Sequence, residues 1–262
     1  MKRVFLFVLF AAILSLTACD NEEHYEELLS DYEAHLEDQR AAYQRMNRYL
    51  NELSSDVVSS AVAIYSFGET TQSGSGVIFE QDENYYYMLT NYHVAYQRFP
   101  RSPAYRVHDH LGNSYDASLV YRDSDYDLAV LQFRKGRTEL EPIDFAEDDL
   151  AAGEHVAIIG FPERQINAIT MGRVNGYERI EISDVDADIV SIDFDVMSMD
   201  APVKGGSSGS LVVNERYELS GILFAGTISG SDFTESYALP LGEVLSFIAD
   251  YEETLESGDD DA

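Results

Sequence analysis

The chain has 262 residues, 45% of them hydrophobic and 12% aromatic, enough to bury a substantial core in one domain or two small ones and to exclude disorder throughout. Its 48 acidic and 17 basic residues give a formal charge of −31. Such a surface repels phosphate backbones, so nucleic acid is not an expected partner.

Lys2 and Arg3 precede the apolar run Val4 to Leu16, too short for a comfortable span but suited to the core of a signal peptide. The run ends in Leu16-Thr17-Ala18-Cys19, which resembles the lipobox of bacterial lipoproteins. That resemblance implies removal of residues 1–18, lipidation of Cys19 and attachment to the outer face of a membrane. An ordinary secretory signal with a chance cysteine is the alternative. Cys19 is the sole cysteine, so no internal disulfide staples the fold.

A heptad seam at Tyr25, Leu29, Tyr32, Leu36, Gln39, Tyr43, Met46, Leu50, Leu53 and Val57 marks residues 19–55 as a helical stalk segment. No glycine or proline interrupts it, and a helix of about 45 Å is expected. It serves either as a stalk, free or self-associating as a coiled coil, or as an amphipathic helix packed back on the body.

After Ser54-Ser55 the pattern turns to short runs rich in Val, Ile, Tyr and Phe. "VVSSAVAIY", "GSGVIFE", "YYYMLT", "LAVLQF", "HVAIIG", "IVSIDFDV", "GSLVVN" and "LSGILFAG" read as strands of an all-β domain closed as barrels. Gly112-Asn113 and Asn175-Gly176 are expected turns. Expected boundaries are a domain over 56–250, barrels over about 57–135 and 153–240, and an acidic tail over 251–262. From Pro240 a helix is expected to pack Val244, Leu245 and Ile248.

Acyl transfer needs a nucleophile, a base, an acid to orient the base, and donors for the oxyanion. His93 follows the strand "YYYMLT", Asp127 lies in "DSDYDLAVLQF", and Ser208 lies in "DAPVKGGSSGSLVVN". Each has a bland reading: a structural histidine, an acid competing with Asp123 and Asp125, and a Gly/Ser loop. "DSDYD" is not a calcium loop, because the loop glycine is missing and Arg134 stands where the bidentate glutamate belongs. His108 and His110 supply too few ligands to hold a metal without partners.

"GSGVIFE", "YMLTNYHVA", "DSDYDLAVLQF", "HVAIIGFP", "DAPVKGGSSGSLVV" and "YALP" occur in one order. In that order the chain resembles the chymotrypsin-like serine peptidases, closest to the bacterial HtrA (Deg) branch, over about Val57 to Ile248. The resemblance implies two Greek-key β-barrels with a C-terminal helix and a Ser-His-Asp peptidase acting on polypeptides without metal or organic cofactor. It implies His93 as base, Asp127 as its partner and Ser208 as nucleophile, with the oxyanion hole drawn from Gly206, Ser207 and Ser208. The specificity pocket is expected at Pro202, Val203 and Leu223; no acid is there to bind Lys or Arg, so a small or medium aliphatic P1 residue is expected. Ser207 stands where animal trypsin-like enzymes have the aspartate that pairs with their processed N-terminus. No PDZ domain is expected after the catalytic domain. The rival expectation is a catalytically silent binding or holdase protein on the same scaffold.

Overall fold

The computed structural model describes residues 2–97, 100–101, 104–162, 168–180, 190, 192–229 and 232–258, with side chains from residue 26 onward except 27, 228–229 and 232–234. Two compact units divide between Asn51 and Glu52. The first lies within one helix, α1 (Lys2–Glu52), whose last residue is counted with the second unit. Its seam residues Leu29, Tyr32, Leu36, Tyr43 and Met46 are exposed, and Gln39 donates its amide to the His35 ring at 3.0 Å. The Cys19 side chain and the lipobox lie outside the described side chains. Among the described residues no helix is long and apolar enough to cross a membrane.

Leu53 and Val57 are buried in the short helical turns that open the second unit. There, among the described residues, twelve antiparallel strands close two six-stranded barrels. The first contains β1 (Ala61–Phe67), β2 (Thr71–Gln81), β3 (Tyr85–Asn91), β4 (Tyr105–His108), β5 (Ser114–Asp123) and β6 (Leu128–Arg134) in the order β1-β2-β3-β6-β5-β4. The second contains β7 (His155–Gly160), β8 (Ala168–Glu178), β9 (Val196–Met199), β10 (Leu211–Val213), β11 (Leu219–Ser229) and β12 (Asp232–Pro240) in the order β10-β11-β12-β9-β8-β7. Closure leaves no open sheet edge. Each barrel fills its interior with its own apolar side chains, Ile64, Met88, Leu131 and Phe133 in one, Val156, Met197, Val212 and Leu223 in the other.

The polar join between the barrels is an inter-barrel strap. Ile143 N–H reaches Ile78 O at 2.9 Å in the first barrel, while Leu219 N–H in the second reaches Asp144 O at 2.7 Å. The β4–β5 turn at Gly112, φ +83°, is built on buried Asp109. That carboxyl accepts the N–H groups of Leu111 and Asn113, the Asn113 amide and the Tyr115 hydroxyl. Burial pushes its pKa up, but these donors outweigh burial and leave it below the ordinary aspartate value.

Some expected elements move. Asn175-Gly176 is no turn; it lies within β8 at a register shift against β9. In the segment "IVSIDFDV" expected as a strand, Ile189 and Ser191 lie outside the described residues, and β9 starts at its last residue, Val196. The last helix, α3 (Leu241–Gly258), buries Leu241, Val244, Phe247 and Tyr251 at three- and four-residue steps, and Leu245 is exposed. Tyr251 sits 6.5 Å from Phe79 and 5.8 Å from Tyr121, centroid to centroid, so the boundary expected at 251 falls inside a packed helix. Residues 259–262 of the expected tail lie outside the described residues.

Candidate active site

β3 delivers the chain into a single helical turn, α2 (Tyr92–Ala95), which carries His93. Facing it is the turn between β5 and β6, whose last residue, Asp127, is 1% exposed and adopts φ +51°, a left-handed conformation that aspartate tolerates better than most residues. Four groups hold it there. Its carbonyl accepts the Tyr92 N–H at 3.0 Å and the Asn91 amide at 3.1 Å; its carboxylate accepts the His93 backbone N–H at 3.0 Å and faces His93 Nδ1 at 2.9 Å. α3 supports the same turn, because the Tyr126 ring meets Phe247 edge to face, 5.8 Å between centroids, and its hydroxyl donates to Asp250 at 3.1 Å.

A carboxylate only accepts, so Nδ1 carries the proton and Nε2 is left as the basic nitrogen. Of the three neighbouring acids, Asp127 is the one turned to the ring. Asp123 instead accepts the Asp125 N–H at 2.8 Å in a local turn.

Ser208 lies in the tight loop before β10. Gly206 and Gly209 have φ +88° and +85°, where a side chain is strained. At Gly209 there is also no room: a Cβ would lie 2.0 Å from Ser75 O. Ser208 and α2 meet across Gly74, whose missing Cβ would sit 2.7 Å from Val94 Cγ1 and 3.0 Å from Ser208 O. The nucleophile candidate and the residue after His93 thus close on the same point. The Ser208 hydroxyl donates to Phe224 O at 3.3 Å.

Ser207 departs from its expected place in the oxyanion hole, since its N–H is directed to Lys204 O at 3.1 Å. Among the described residues no backbone carbonyl accepts from the N–H of Gly206 or Ser208. Of the three N–H groups expected to form the oxyanion hole, only that of Ser207 has a backbone acceptor among the described residues.

Beside the loop lies a cavity of about 230 Å³ lined by Val203, Leu223, Ala225, Gly226 and the loop itself. Pro202, expected at its base, is exposed and does not line it. Val203 does, pressing so closely that a Cβ on Gly226 would come within 2.5 Å of its methyl. A larger cleft of about 520 Å³ near Asp149, Glu154 and Glu215 holds none of the expected site residues.

Sequence reading missed Ser75, Thr90 and Asn91, all fully buried polar residues around the site. Ser75 had a visible signal: glycines on both sides of it in a strand mark close approach of another backbone.

Comparison with known proteins agrees with this architecture. The model of the trypsin-like peptidase domain matches residues 74–222. Serine protease HTRA1 of Xenopus tropicalis is 30% identical over 179 residues, 68% of this chain and 36% of that protein. The Do-like serine protease HtrA of Bacillus subtilis is 33% identical over 152 residues, 57% of this chain and 32% of that protein. The chain thus spans about a third of the length of these curated relatives. Among solved structures, the active form of the Rv3671c protease from M. tuberculosis matches with a TM-score of 0.65 at 23% identity, over 76% of this chain and 83% of the other. The HtrA-type protease AlgW with a tripeptide gives 0.62 at 24% identity, over 77% and 62%; both likenesses concern the fold. With the domain model matched over more than half its length and two closed barrels beneath it, this chain belongs to the trypsin-like peptidase family.

Proposed function

We propose that the chain is a serine endopeptidase of the bacterial envelope, anchored outside the cytoplasm through lipidated Cys19, that cuts polypeptides with Ser208, His93 and Asp127. The observation that carries this reading is the His93–Asp127 pair, 2.9 Å between Nδ1 and Oδ2, with the nearly inaccessible carboxylate fixing the imidazole tautomer. In the reaction His93 Nε2 takes the proton of the Ser208 hydroxyl as Oγ bonds to the scissile carbonyl carbon. The carbonyl oxygen, now anionic, accepts from the N–H groups of Gly206 and Ser208. Collapse breaks the C–N bond, His93 returns its proton to the leaving amine, and water repeats the sequence to free the acyl group from Ser208.

Attachment and location rest on the Lys2 to Cys19 segment, and self-association on the exposed seam of α1, whose apolar side chains a second copy would cover. A fluorophosphonate probe tests the chemistry. The purified protein without its signal is expected to label at one residue, with no label on Ser208→Ala, at several salt concentrations. Sedimentation of the same preparation reports the association. A well-folded wild type that never labels would leave a silent binding protein.

Specificity follows from Val203. Its methyl closes on Gly226, and the lining, which includes Lys204, carries no carboxylate to meet arginine, so a small or medium aliphatic P1 residue is expected. Val203→Gly is expected to raise kcat/KM for phenylalanine relative to valine at P1 by about tenfold or more, read from paired peptide substrates. An unchanged ratio would remove Val203 from the pocket.

A further inference from the structure

Ser75, in the middle of β2, is fully buried between the two barrels, and all its polar atoms are engaged. Its N–H donates to Ser208 O at 2.7 Å. Its hydroxyl donates to Gly206 O at 3.0 Å and accepts the Phe161 N–H at 2.9 Å. Its carbonyl accepts the Thr90 hydroxyl at 2.7 Å.

The direction of the hydroxyl proton is set by this arrangement. Phe161, just beyond β7, offers an N–H, so Oγ must accept from it and turn its own proton to Gly206 O. The relay runs from Phe161 N–H through Ser75 to the nucleophile loop. Ser75 thereby holds the Gly206–Ser207 peptide with its side chain and the Ser208–Gly209 peptide with its backbone. Between those two peptides lies the one that presents the Ser208 N–H. With Ser207 N–H turned to Lys204 O, little freedom is left in the loop.

Ser75 also ties the loop to the histidine. Thr90, which bonds to the Ser75 carbonyl, is three residues before His93 in the same run of chain, and a Cβ on Gly209 would lie 2.7 Å from its hydroxyl. Flanking Gly74 is what allows Ser208 O and Val94 to close on the same spot.

We infer that Ser75 is a positioning residue: its hydroxyl on Gly206 O, together with its backbone N–H on Ser208 O, holds the loop that presents the Ser208 amide in the geometry that receives the oxyanion and keeps that loop in register with His93. The inference rests on the peptidase reading for its effect on rate, but not for its effect on the loop. A neutral serine that only satisfies buried groups would change stability when replaced; a positioning serine changes kcat.

The test uses Ser75→Ala and Ser75→Cys in the full protein without its signal. The thiol keeps the shape of the serine while donating and accepting weakly, so one variant remains informative if the other folds poorly. Both are expected to lower kcat on a peptide substrate by about 10- to 100-fold, short of the loss for deleting an oxyanion donor outright, with KM within about twofold of wild type. Amide hydrogen exchange at Ser207 and Gly209, the loop amides held by Lys204 O and Leu223 O, is expected to quicken in both, with exchange in the barrel strands unchanged. The inference is overturned by a kcat within twofold of wild type, or by exchange at those two amides as slow as in wild type. A loss of activity that only follows the unfolded fraction overturns it as well. If wild-type protein neither labels nor cleaves, the peptidase reading fails by itself, and exchange at the loop still decides the role of Ser75.

Discussion

Replacing Ser208 with alanine is expected to lower kcat for peptide hydrolysis by about 10⁶-fold, and adding His93→Ala to that variant is expected to change almost nothing further. The two side chains act on one proton. Without Oγ there is no hydroxyl for Nε2 to deprotonate, and without Nε2 the hydroxyl stays a weak nucleophile at neutral pH. Each single substitution therefore removes nearly the whole covalent route, so their effects do not add. A residual rate above water is expected in both, because the Gly206 and Ser208 amides still stabilise an oxyanion formed by attack of water. The measurement is kcat on one peptide for wild type, both single variants and the double variant, with melting temperatures confirming the fold. Losses that multiply in the double variant would show the two residues acting independently and would break the proposed pairing.

The order of histidine, aspartate and serine was legible because each sits in a short, patterned run between strong strands, and strands with buried cores such as "LAVLQF" and "HVAIIG" show themselves by apolar continuity. β5 was harder to read. Its residues alternate between exposed and half-buried, and Asp116 and Ser118 interrupt the apolar signal. Asn175-Gly176 has turn composition, but a bulge uses the same residues, and only pairing with β9 decides between them. Pro202 and Val203 are neighbours in sequence, and which of them faces the cavity depends on the path of the backbone before the nucleophile loop. Sequence likewise cannot show that Ser207 turns its N–H away to Lys204, because that turn is made by Gly206 at φ +88°.

The buried acid gives the second large effect. Asp127→Asn is expected to lower kcat by about 10⁴-fold with little change in KM or melting temperature. Asparagine fits the site in every respect but one. It tolerates the left-handed backbone at φ +51°, leaves the carbonyl that Tyr92 and Asn91 hold, and can still accept the His93 backbone N–H through its amide oxygen. Its amide nitrogen, however, would then face His93 Nδ1, a donor where an acceptor stood. The imidazole must accept there, so its proton moves to Nε2, and the nitrogen aimed at the nucleophile is no longer a base. Asp125→Asn is the control: Asp125 takes part only in a local turn, and its replacement is expected to leave kcat within about twofold, an ordinary surface change. The comparison is made on one substrate across neutral pH. Equal, small losses for the two variants would mean that His93 keeps its tautomer without Asp127, and the 2.9 Å contact would then be a structural bond rather than part of the reaction.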